Sequence, residues 1–212
     1  MKKIHFIDGL IEPDHAEFAD ADLVLIDALK LEKSTVSQDV DPRLVPVIEA
    51  AHAPTSEAAL EAAMAIRPTM IVLRGLFGVP DIQQISSRLA VQEAERGWAD
   101  GAVKILAVMG DTAASIRALT IPWPKLHRLE GFIFSPLRLQ AALSRETVIA
   151  LDRWPDPLRL GRSLTVLMAN DIGVPAYEWL MPGHDEAKST ELAQRDGFSG
   201  TVTGSSRTLD DT

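Results

Sequence analysis

Eight short apolar, β-rich runs alternate with stretches of helical spacing along the chain. That alternation constrains the fold more than any other feature. The runs are Lys3–Ile7, Asp22–Asp27, Val45–Glu49, Met70–Arg74, Val103–Met109, Gly131–Ser135, Val174–Glu178 and Gly200–Thr203. Several, such as MIVLR and VKILAVM, are continuously apolar rather than alternating, as expected of strands buried on both faces. Val45–Glu49 is the weakest, because Pro46 suits a strand start or an edge better than a middle. Between the runs, Thr55–Ile66, Pro80–Trp98, Asp111–Leu119 and Arg162–Ile172 carry apolar residues at helical spacing, and Gly173 follows the last as a C-cap signal.

Strand–helix alternation predicts a parallel sheet with helical crossovers. Pattern alone is compatible with an open doubly wound sheet. Eight runs favour a closed α/β barrel, a (β/α)8 TIM barrel shortened to near the lower size limit by a length of 212 residues. Residues 1–204 are expected to form this one domain, and the polar residues 205–212 a flexible tail.

Composition narrows the function. The chain has no Cys, which excludes disulfides and thiolate metal sites. A net charge of −9 disfavours nucleic acid and anionic membrane as partners. No run approaches the roughly 20 apolar residues of a membrane span, and the N-terminal apolar run is too short for a signal peptide, so a cytoplasmic location is expected.

In either parallel architecture the ligand lies at the carboxyl ends of the strands. Reading off those ends gives Asp27, Glu49, Arg74, Asp111, the Ser135–Arg138 stretch, Glu178 and Gly204–Ser206. Asp27 closes an apolar strand and reads as a site residue. Arg74 closes MIVLR, where a guanidinium suits a carboxylate or phosphate. Asp111 and Thr112 are both good helix N-caps, so capping stands beside ligand contact for them. The five His lack metal-ligand spacing, and no Ser lies in a G-x-S-x-G or phosphate-loop setting.

With the strand ends in view, three ordered stretches resemble the citrate lyase β-subunit (HpcH/HpaI aldolase) family. They are RPTMIVLRGLFGVPDIQQISSRLAVQEAERGWADGAVKILAVMGDTAASIRAL, LGRSLTVLMANDIGVPAYE and RDGFSGTVTGSSRTL. The resemblance implies a (β/α)8 barrel that makes or breaks C–C bonds in carboxylates or CoA thioesters with Mg2+. Under it, the family's metal-binding Glu falls on Asp111 and its second metal ligand, an Asp, falls on Arg138. Its DLED motif keeps only Asp27, Arg74–Gly75 replaces a Lys, no residue of VPVIEA matches a third-strand Arg, and IHP becomes Gly204-Ser205-Ser206. The resemblance leads one to expect that the C-terminal segment following the barrel in full-length members is missing.

The resemblance therefore implies a divergent lyase or aldolase scaffold with a degenerate site. Asp27, Arg74 and Arg138 are the candidate catalytic residues and Asp111 the candidate metal ligand, with Mg2+ weak or absent. Arg138 either serves as an electrophile paired with Asp111, or closes an abandoned site by an ion pair with it. The second is preferred. A small carboxylate or acyl-CoA is the expected partner of the first reading. The competing reading is a non-catalytic barrel that binds a metabolite or a protein, as a homo-oligomer or with a full-length relative.

Overall fold

The computed structural model describes residues 1–7, 19–31, 41–50, 52–143 and 154–204. The expected tail, and with it Ser205 and Ser206, lies outside them. Eight parallel strands close into a barrel in chain order: β1 Lys2–Ile7, β2 Leu23–Asp27, β3 Leu44–Glu49, β4 Met70–Arg74, β5 Lys104–Met109, β6 Leu129–Phe134, β7 Ala176–Trp179 and β8 Gly200–Gly204. Helices α1 Ala28–Leu31, α2 Ser56–Ala65, α3 Val79–Glu95, α4 Ala113–Ala118, α5 Pro136–Ala142, α6 Asp156–Ile172 and α7 Glu186–Arg195 lie between strands. The expected barrel is thus the observed one.

Most strands divide their side chains between the barrel interior and the layer outside it. Phe6, Leu25, Val47, Val72, Val108 and Trp179 fill the barrel interior. The alternate residues Ile48, Ile71, Ile105 and Phe132 pack outward against Leu60, Ile82, Leu89 and Leu158 of the helices. This double burial is why the strands read as unbroken apolar runs. Pro46 sits inside β3 after all. The ladder from β3 to β4 starts only at Val47↔Val72, one residue beyond it, so its missing N–H costs that ladder nothing. Closure between β8 and β1 needs a glycine. A Cβ on Gly200 would lie 2.3 Å from the Lys2 carbonyl oxygen.

The amino-terminal end of the barrel is locked by a buried ion pair. Arg128, just before β6, donates to both oxygens of Glu93 on α3, at 2.7 Å each, and to Asp100 Oδ1 at 2.6 Å. Glu93 also accepts from the N–H groups of Val103 at 2.8 Å and Gly101 at 3.0 Å. Both charged side chains are 1 % exposed. A carboxylate fully inside the α/β layer is tolerable only with its lone pairs met this way.

Candidate functional site

Strands β3, β4 and β5 end side by side, and their last residues build one charged cluster at the carboxyl mouth. Asp111 lies two residues past β5 and is 3 % exposed. Its Oδ2 accepts from the Gly75 N–H at 3.0 Å and faces Arg74 Nε at 3.4 Å. Its Oδ1 lies 3.5 Å from Arg138 Nε, on the first turn of α5. Arg74 Nη2 lies 3.6 Å from Glu49 Oε1 at the end of β3. Gly75 makes this packing possible: its φ of +67° favours glycine, and a Cβ there would meet Glu49 Oε2 at 2.8 Å.

The cluster is tight but incompletely bonded. Among the described residues, Asp111 Oδ1 and Arg74 Nη2 are both buried without a hydrogen-bond partner. Burial pushes the Asp111 carboxyl above its usual range, against the pull of the Arg74 charge and the Gly75 N–H. The folded protein therefore holds this proton more firmly than the unfolded chain, and raising the pH through that range costs stability.

Asp111 does not cap α4. Thr112 does, its Oγ1 accepting from Ser115 N–H at 3.0 Å while donating to the Leu76 carbonyl at 2.9 Å. The two adjacent cap candidates thus divide the work: Thr112 satisfies the helix and ties the β5–α4 turn to the β4–α3 turn, which frees Asp111 to face the arginines. Asp27 is also more local than its position suggests. Its Oδ1 accepts from Leu29 N–H at 2.9 Å and turns the chain into α1, and it is not among the groups joined around Asp111. Glu178 leaves the mouth altogether. It faces outward from β7 and pairs with Arg162 of α6 at 2.6 and 2.9 Å, while Arg162 also reaches Asp196 at 2.5 Å.

No protein-family model and no curated protein sequence matches this chain. Solved structures do. A citrate lyase from Burkholderia xenovorans LB400 superposes with a TM-score of 0.76 at 13% identity, over 99% of this chain and 74% of that one. The CitE protein of Mycobacterium tuberculosis, solved with magnesium and acetate, gives 0.64 at 20% identity over 95% of this chain and 84% of that one. The Haloferax volcanii malate synthase, solved with magnesium and glyoxylate, gives 0.67 at 13% identity over 95% and 71%. The likeness is one of fold.

The cluster sets two carboxylates, Asp111 and Glu49, against two guanidinium groups, Arg74 and Arg138. A hard divalent ion wants several oxygen ligands around it, and among the described residues no group of three or more Asp, Glu or His could hold one. The carboxylate at the centre already faces two guanidinium groups and an N–H. Arg74 and Arg138 differ in what they hold up. Arg74 is 6 % exposed and faces two carboxylates, whereas Arg138 is 22 % exposed and shares Asp111 with Arg74. Arg74→Met is expected to cost about 1–3 kcal/mol, the scale of an uncompensated buried polar group. Arg138→Ala is expected to cost about 0–1 kcal/mol, as for a partly exposed pair. Urea midpoints of the two variants check the ranking.

Proposed function

We propose that this chain is a citrate-lyase-β-like barrel that binds a small carboxylate at its mouth and performs no divalent-metal-dependent C–C cleavage. The observation that carries this reading is the pair of arginines flanking buried Asp111, with Arg138 partly exposed at the mouth. Support for the ligand class comes from the fold: similar barrels have been solved with acetate and with glyoxylate.

Those relatives were solved with magnesium as well, and the residues here do not fit that ion. Asp111 is the one carboxylate on a matched ligand position, and its second oxygen faces a guanidinium. A fixed cation beside Asp111 repels a mobile one. Under this reading Arg138 and Arg74 take over the neutralising role. An incoming carboxylate accepts from the partly exposed Arg138, and Arg74 behind Asp111 adds its charge. Asp111 orients both guanidinium groups, held itself by Gly75 N–H. Asp27 serves to shape the neighbouring turn.

Calorimetric titration with acetate, glyoxylate and pyruvate tests the proposal, each with Mg2+ and with a chelator. Binding is expected to be the same in both conditions and at least about tenfold weaker in Arg138→Ala, the scale of one charge-assisted contact. Binding that requires Mg2+, or condensation of glyoxylate with acetyl-CoA by the purified chain, would overturn it in favour of an active lyase-type enzyme.

A further inference from the structure

The rim beside the charged cluster carries an aromatic pair that the proposed function does not yet use. The rings of His52, in the β3–α2 turn, and Phe77, in the β4–α3 turn, stack with centroids 4.4 Å apart and planes 10° from parallel. Phe77 is nevertheless 53 % exposed and the His52 side chain 42 %. One carboxylate, the capping-box Asp81 of α3, anchors the Phe77 backbone and faces His52. Asp81 accepts from Phe77 N–H at 2.6 Å and Gly78 N–H at 3.1 Å through Oδ2, and its Oδ1 lies 3.7 Å from His52 Nδ1. Folding gains little from the exposed half of the ring, and a single exposed aromatic is common on a surface, so a binding role needs a reason of its own.

Its place supplies one. Phe77 is three residues beyond Arg74, and His52 three beyond Glu49, which contacts Arg74. Three residues reach at most about 10 Å, the span of one small molecule bearing a ring and an acid group. We infer that the His52–Phe77 stack is a ring-binding subsite, so that the carboxylate recognised at the mouth belongs to a planar aromatic acid. This rests on the carboxylate reading above. Phe77 offers the face away from His52 to the ring, and the His52 stack backs it.

The test compares pyruvate with phenylpyruvate, which share the 2-oxo acid and differ by the ring. Titrations of the wild-type chain are expected to show phenylpyruvate bound about tenfold more tightly, the upper range of one aromatic contact. Phe77→Leu keeps an apolar side chain without the flat ring, and should erase the difference while leaving pyruvate affinity unchanged. Equal affinities in the wild type would overturn the subsite and leave the carboxylate reading standing. Binding of neither acid would overturn both. Tighter binding of phenethylamine than of phenylpyruvate would also overturn the inference, since Glu49 rather than the arginines would then be reading the ligand's charge.

Discussion

Replacing Arg128 with Met is expected to destabilise the protein by about 3–5 kcal/mol, because it strands a buried carboxylate rather than merely deleting a contact. For a chain of this size that is a fall of roughly 6–20 °C in melting temperature. Glu93 would keep the two N–H groups of Gly101 and Val103 but lose both 2.7 Å bonds from the guanidinium. The double replacement Glu93→Leu with Arg128→Met should recover most of the loss, since an apolar pair avoids the desolvation that the ion pair must offset. The size of that recovery separates pairing from packing.

The pH dependence gives the same prediction a sign. Burial opposes ionisation of Glu93, but the bonds from Arg128, Val103 and Gly101 together outweigh it and hold the carboxyl below the usual Glu range. A depressed folded value means a contribution that is complete above the ordinary value of 4.5 and lost as the pH falls through the folded one. In Arg128→Met, burial acts with much less opposition, so acid relieves the variant while it harms the wild type. The stability gap should narrow as the pH is lowered from about 7 toward about 4. A gap that stays constant would mean that the loss comes from packing around the guanidinium stem.

This lock was legible in the sequence only as an anomaly. Glu93 stands four residues after Leu89 and on the face that Ile82 and Ile85 define, so a helical reading puts a carboxylate where the core should be. Its partner, Arg128, belongs to a turn without any periodic pattern and comes into reach only when β5 and β6 pair. The strands were readable because most of them bury both faces. The run MIVLR ends where β4 ends, and even β7, the shortest, was displaced by only two residues at its start and one at its end. Helix α7 has one buried residue, Ala193, and α1 has four residues in all, so neither shows an apolar period to find. The helix expected at Arg162–Ile172 begins at Asp156, and Gly161 in its first half packs against Phe134, Ile116 and Leu139 rather than breaking it.

At the mouth, position was legible and partnership was not. Parallel strands deliver their last residues to one end, so Arg74, Asp111 and Glu49 were bound to converge. Which of Asp111 and Thr112 would cap α4 depended on a tertiary acceptor, the Leu76 carbonyl, that no local pattern reveals. Asp27 and Glu178 show the converse: Asp27 closes β2 yet bonds the next turn, and Glu178, one residue short of the end of β7, faces the helical layer.

Converting Arg138 to Asp should turn the closed cluster into a divalent-cation site. The substitution removes one of the two cations beside Asp111 and puts a second carboxylate on the side of its Oδ1. Without metal the variant should melt below both the wild type and Arg138→Asn, since two carboxylates at a buried position repel and Asp111 already resists ionisation. With millimolar Mg2+ or Mn2+, the folded state alone offers paired oxygens, and stability rises as RT ln(1 + [L]/Kd), about 2.7 kcal/mol at a hundredfold excess over Kd. That corresponds to a recovery of roughly 5–11 °C. Wild type and Arg138→Asn, which lack the second carboxylate, should not respond. The contrast between Asp and Asn makes the melts decisive. Equal melting temperatures for Arg138→Asp with and without metal would show that the guanidinium does not stand where a cation would bind, and the account of the mouth as a metal position closed by arginine would fall.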